Sequence, residues 1–246
     1  NDSIKENPIK TKEIDFVPLT YPNKAYGNKT IPRPENLIIR NATVWTSEEQ
    51  GVLNNTDVAV SNGLIVAIGK DLKNNNNSRE IDGKNKHLTA GIIDEHSHIA
   101  ASSINESGHN SSAEVTIEDV INPNDISIFR TLSGGVTTIQ ILHGSANPIG
   151  GQSAIVKLKW GETAEKMLMN DASKFIKFAL GENVKQSNWS SYSRFPQSRM
   201  GVEQVYVDFF QRAKEYGENW EVYNSLTKKE KSKSPKPRYD LSLIHI

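Results

Sequence analysis

The chain has 246 residues, with 29 Lys and Arg balanced by 29 Asp and Glu, six His and no Cys. That length suits one large domain, or one domain with a smaller companion, and it suffices to bury a sizeable core. Charge neutrality argues against a general nucleic-acid binder, absent cysteine excludes disulfide scaffolds, Cys-zinc sites and thiol catalysis, and no apolar run approaches the ~18–20 residues of a membrane span.

The first residue is Asn1 and no charged-then-apolar leader follows, so the start reads as a processing point or a cut. Residues 1–36 are polar and carry Pro8, Pro18, Pro22, Pro32 and Pro34, which predicts an extended arm because proline removes donors and biases its neighbours away from helix. Phe16, Tyr21 and Tyr26 are candidates to pin that arm to a body. From Leu37 to Trp45 the chain is apolar and partly β-branched, as in a strand. The runs 57–60 and 64–68 flank Ser61-Asn62-Gly63, and Asn-Gly between apolar runs is a strong hairpin signal. Asn74 to Asn77 form a polar tract that reads as a solvated loop. A strand at Ile81 turns at Asp82-Gly83 toward His87-Leu88. Residues 37–90 are therefore expected to form a small antiparallel, β-sandwich-like module.

After Ala90 strands alternate with helices. Gly91 to Asp94 reads as an apolar strand. Asn124 or Asp125 caps a helix carrying Ile126, Phe129 and Leu132, which Gly134-Gly135 stops. Val136 to Leu142, Ile155 to Leu158 and Lys174 to Leu180 read as further strands. Val202, Val205, Phe209 and Ala213 recur at helical spacing, predicting an amphipathic helix over 201–216. This alternation predicts parallel pairing and an α/β layer architecture. The Lys-rich segment 227–238 reads as a solvated linker, with an anion-binding patch as the rival reading.

The chemistry concentrates at His96-Ser97-His98. Residues i and i+2 of a strand share a face, so both imidazoles project together from the carboxyl end of an apolar strand. Two neutral imidazoles there can hold a divalent metal, and α/β folds build their sites at that end of the sheet. The rival reading is a pair of surface histidines ending a strand. His143 follows another strand and precedes a Gly-rich loop, so it is a candidate to line a substrate cavity. Asn147 and Gln152 in the same loop are candidates to hydrogen-bond a substrate amide or carboxylate; the alternative is that all three serve their own loop. The loop lacks the Gly-Lys-Ser/Thr ending of a phosphate loop, and a dinucleotide fingerprint is absent.

The run Leu88-Thr89-Ala90-Gly91-Ile92-Ile93-Asp94-Glu95-His96-Ser97-His98 resembles the first-strand signature of the amidohydrolase superfamily. Gly134-Gly135-Val136-Thr137-Thr138 is similar to its second-strand motif, and Ile81-Asp82-Gly83-Lys84 to the small β module that precedes the barrel. Residues 142–158 resemble the imidazolonepropionase-like branch, especially large exported bacterial members, so the resemblance points to an exported or periplasmic bacterial setting. It covers roughly residues 21–240 and departs at Ala90-Gly91, where the family often has Pro-Gly.

The resemblance implies a (β/α)₈ TIM-type barrel, a divalent metal centre, most simply zinc, and hydrolysis of an amide or other C–N bond in a small or peptide-like substrate. Deamination is a variant of the same chemistry. His96 and His98 take the place of the first-strand ligands. A further ligand is implied in the segment 175–185: Glu182 past the strand end is favoured, Lys185 is the alternative, and Lys177 lies within the strand. The family's strand-end Asp and its two later His ligands match nothing here; His245 is the only His after His143, and Asp240 stands outside any motif.

Leu88 to Ile246 spans 159 residues. A complete barrel needs ~250, and units of about 30 residues allow roughly five. The expectation is an N-terminal arm (1–36), the β module (37–90), the first part of a barrel (91–226) and a polar linker with a truncated end (227–246). Leu241 to Ile246 resembles translated sequencing-adapter read-through. Such a fragment, lacking its C-terminal half, is expected to be inactive alone. The rival is a non-catalytic binding or scaffold module built on the same fold.

Overall fold

A computed structural model describes residues 17–74, 77–188 and 194–246. Phe16 and the middle of the Asn tract lie outside the described residues. The first five strands are β1 (Leu37–Trp45), β2 (Val52–Ser61), β3 (Leu64–Gly69), β4 (Arg79–Asp82) and β5 (His87–Leu88). They form one sheet in the order β3-β2-β1-β4, with β5 also on β1. The β2–β3 hairpin turns on Asn62 and Gly63, with φ of 51° and 79°. Both lie in the left-handed region that a two-residue type I′ turn requires.

The module is mixed, which corrects the antiparallel, sandwich-like expectation. β1 pairs antiparallel with β2 but parallel with β4 and β5. After β3 the chain crosses from one edge of the sheet to the other, so β4 runs in the same direction as β1. The crossing is tied by Arg40, whose guanidinium donates to Asp57 at 2.8 Å, to Glu80 at 2.7 Å and to the Leu72 carbonyl at 2.6 Å. Burial alone would raise the Asp57 pKa. Hydrogen bonds from the Asn41 N–H, the Arg40 guanidinium and the Leu72 N–H outweigh it and hold the carboxyl below its ordinary range.

A second body follows. It contains β6 (Ile92–Ser97), α1 (Ile126–Ser133), β7 (Val136–Ile141), β8 (Ile149–Gln152), β9 (Ala154–Lys157), α2 (Ala164–Met167), β10 (Ile176–Phe178) and α3 (Arg199–Ser225). Asp125 is the N-cap of α1, accepting from the Ser127 N–H at 2.9 Å. Its other oxygen accepts from the Ala100 N–H at 2.8 Å, so one carboxylate joins the helix start to the chain leaving β6. Ile126, Phe129 and Leu132 pack at the rim of the core, while Ile128 is fully buried with Ile139, Ile141, Val156 and Met167.

β6 and β7 are parallel, as the helix between them requires. β9 is antiparallel to β7, against the expectation of parallel pairing throughout. No crossover helix separates those two strands; the chain returns through a loop and β8. β8 in turn pairs antiparallel with β10 in a two-stranded sheet. The strand expected over 174–180 shortens to three residues.

The arm is anchored. Tyr26 stacks on Phe129 with ring centres 4.7 Å apart and 5° between planes. The Trp160 indole N–H donates to the Tyr26 carbonyl at 2.9 Å, and the Asn28 amide reaches the carbonyls of Tyr21 and Trp160 at 3.3 Å.

α3 extends beyond the expected 201–216. Only its first turns are buried, through Gly201, Val202 and Val205, the last two apolar positions having been expected from the sequence. The segment 227–238 follows α3 as a largely exposed stretch and contains α4 (Lys228–Lys231), whose start carries a Thr227–Glu230 capping box. The chain then folds back on α3, stacking Tyr239 on Trp220 at 4.9 Å, and ends in α5 (Leu241–Ile244). Among the described residues no helix is long and apolar enough to cross a membrane.

Asp57→Asn removes the charge that three donors converge on. It is expected to lower unfolding free energy near neutral pH by about 2–3 kcal/mol. Because the folded pKa of Asp57 is depressed, its contribution is present above the unfolded value of about 3.9 and is lost as pH falls. The variant should therefore converge toward the parent in acid, read from urea midpoints across pH.

Candidate metal and substrate site

β6 carries His96 and His98 to its carboxyl end. Their rings meet edge to face, with centres 5.2 Å apart and planes at 90°. Both side chains are exposed. His98 Nδ1 lies 3.0 Å from the Leu142 carbonyl oxygen. A carbonyl only accepts, so Nδ1 carries a proton, and in the neutral ring this leaves the lone pair on Nε2. The parallel ladder sets this contact, because the Leu142 N–H donates to the Ser97 carbonyl at 3.0 Å where β6 and β7 end together. Two imidazoles bound through one nitrogen each to a tetrahedral ion at ~2.0–2.1 Å have ring centres about 5 Å apart. The separation and the donor type are compatible with a shared divalent ion.

Glu182 stands elsewhere. Its carboxylate accepts from Arg199 Nε at 2.6 Å and is paired with Lys185, and these two cations hold it below its ordinary pKa. Lys185 is thereby engaged as well. Lys177, midway along β10, is partly buried, which lowers its pKa. Among the described residues no three His, Asp or Glu side chains cluster as a metal site. The described geometry thus brings together the two histidines and keeps Glu182 in an ion-pair network of its own.

The side chains of His143, Asn147 and Gln152, the expected substrate-facing groups, all hydrogen-bond backbone groups of the loops, and His143 also borders a cavity of about 290 Å³ together with Asn105 and Val115. His143 is fully buried, accepts from the Glu106 N–H at Nε2 (2.8 Å) and donates from Nδ1 to the Gly144 carbonyl (2.8 Å). The ring lies flat on β8, where a Cβ on Gly150 would come within 2.8 Å of Nδ1. The Asn147 amide nitrogen lies 3.1 Å from the carbonyls of Glu106 and His109 and 2.8 Å from the Ser112 hydroxyl. Gln152 donates to the Ala113 carbonyl at 3.0 Å. The physical reason is common to all three. The irregular chain over 104–113 packs against β8 with few ladder partners, so its backbone carbonyls and N–H groups need side-chain partners.

Beside His98 lies an open cleft of about 610 Å³, bordered by Ile104, Asn105, Gly144, Ser145 and Asn183 among others. Asn105 and Asn183 are functional candidates that sequence reasoning missed. Asn183 adjoins Glu182 in the turn after β10, within the segment where a further ligand was expected. Nothing in the sequence around Asn105 distinguishes it from other loop asparagines.

No protein-family model matches the chain. The amidohydrolase TasK of Hapsidospora irregularis is 30% identical over 210 residues, which are 72% of this chain and 21% of TasK. The crystal structure of an amidohydrolase from Thermotoga maritima superposes with a TM-score of 0.70 and 30% identity, covering 85% of this chain and 54% of that one. The chain is a relative of the amidohydrolases. It spans about a fifth of TasK and about half of the Thermotoga amidohydrolase.

In this amidohydrolase relative the cleft walls depend on a neutral His143, whose pKa burial pushes below its ordinary value. Above pH ~6.5 the imidazole is neutral in both folded and unfolded chains. Below it the unfolded chain takes a proton that the folded one resists, so stability falls as pH drops. His143→Gln is expected to be less stable at pH 7 and to lose less between pH 7 and 5 than the parent, measured by urea midpoints.

Proposed function

We propose that the protein is a metal-dependent hydrolase of an amide or other C–N bond, and that these residues form the first part of a (β/α)₈ barrel of the imidazolonepropionase-like branch. The carrying observation is the His96–His98 pair, set edge to face at the end of β6 beside an open cleft. Zinc suits two imidazole donors, and when bound it supplies a Lewis acid and a water whose pKa falls toward ~7. His96 and His98 would hold it. The Leu142 carbonyl fixes the His98 ring so that Nε2 faces outward, and the cleft beside it receives the substrate. Glu182 would supply a further ligand, with Lys185 as the alternative.

The partial-barrel reading is supported by β6, which is the outermost strand of its sheet and exposes Ile92 and Ile93, the latter 67% accessible. Parallel strands are ordinarily covered on both faces, so this edge suits a further strand from a C-terminal half. The proton-handling Asp would come from that half, which leaves the 246 residues inactive alone. The branch also supports an exported or periplasmic bacterial setting. A non-catalytic scaffold is the second reading, favoured by the ion pairs that occupy Glu182.

Full-length protein is expected to purify with bound zinc, counted by elemental analysis, and to hydrolyse amides. His96→Ala/His98→Ala should abolish metal retention while leaving the fold intact by circular dichroism; unchanged zinc content would sink the ligand assignment. Glu182→Gln should lower zinc occupancy, and if it has no effect the assignment passes to Lys185.

A further inference from the structure

We infer that the cleft beside His98 takes an uncharged, amide-bearing ligand, held by the side-chain carboxamides of Asn105 and Asn183. The inference rests on the hydrolase reading only for which bond is cut; the recognition follows from the cleft itself. Among the described residues no Asp, Glu, Lys or Arg borders it. The nearest charged groups in sequence to Asn183, Glu182 and Lys185, are bound to each other, and Arg199 completes that network. A charged ligand would give up hydration there without a side-chain counter-ion.

The two carboxamides have free capacity. Asn147 and Gln152 spend theirs on backbone carbonyls, whereas the Asn105 and Asn183 side chains make no hydrogen bond among the described residues. A carboxamide presents one acceptor and two donors, the complement of an amide C=O and N–H. The Ser145 hydroxyl on the same wall adds a group that either donates or accepts.

Asn105 is exposed and lies against Gly144. The Gly144 N–H donates to the Ile104 carbonyl at 2.8 Å, joining the two loops next to the cleft. A Cβ on Gly144 would stand 2.2 Å from Asn105 Oδ1, so the carboxamide packs directly on the glycine. The absence of a side chain at Gly144 is what leaves room for Asn105 to lie against the cleft wall.

Nitrogen-15 NMR tests this with two probes of matched size, N-acetylglycinamide and its anionic counterpart N-acetylglycine, on zinc-free and zinc-loaded protein. The uncharged probe should move the side-chain NH₂ signals of Asn105 and Asn183 and leave those of Asn147 and Gln152 in place. It should bind at least about fivefold more tightly than the acid, as one or two neutral hydrogen bonds provide. Asn105→Ala, Asn183→Ala and Gly144→Ala should each weaken it about fivefold by the same reckoning. Equal or tighter binding of the acid to zinc-free protein, or undiminished amide binding in both asparagine variants, would overturn the inference. Binding of the uncharged probe without amide hydrolysis by zinc-loaded full-length protein leaves the inference standing and counts against the hydrolase reading. Hydrolysis with preference for the acid does the reverse.

Discussion

The cleft rests on one neutral imidazole. His143 sits between the Glu106 N–H and the Gly144 carbonyl and lies flat on β8, so a single buried ring sets the distance between two irregular loops. Those loops carry Asn105 on one side and Ser145 on the other. A charged ring there would lack an acceptor at Nε2, because the Glu106 N–H already points at it. The site therefore has a division of labour: one histidine is buried inside the wall, and another, His98, stands exposed at its edge on the Leu142 carbonyl.

Much of the fold was legible because its local signals agree with its tertiary structure. Asn62-Gly63 demanded a tight hairpin, Asn124 or Asp125 a helix start, and the apolar runs after Ala90 a sheet. What escaped was direction. Whether a strand runs parallel or antiparallel depends on the connection before it, and β9 and β4 both reverse the expectation because their connections contain no helix or cross the sheet edge. The capped turn at Thr227–Glu230 was hidden in a run of lysines whose composition alone reads as solvated chain.

The candidate site was legible only in part, for a related reason. His96 and His98 could be placed together because strand periodicity is local and rigid. For His143, Asn147 and Gln152 the sequence shows the chemistry but not the depth: His143 and Asn147 are buried and Gln152 is half-buried, as set by how the 104–113 segment folds over β8. Polar side chains near a Gly-rich loop face competing demands from the loop's own backbone, and here the backbone takes them. The residues left over for the cleft, Asn105 and Asn183, carry no sequence mark because what sets them apart is the absence of a partner.

The anchoring of the arm has a kinetic side. Asn28 and Trp160 are 132 residues apart, and their hydrogen bond closes a loop around the entire β module and the second body as far as β9. Contacts of that span cost more chain entropy than a hairpin and form slowly. The Tyr26–Phe129 stack needs α1 already packed to offer its ring. The arm is thus a late strap: it docks onto a surface that exists only after the second body has formed, and it is among the first parts to lift when that body loosens.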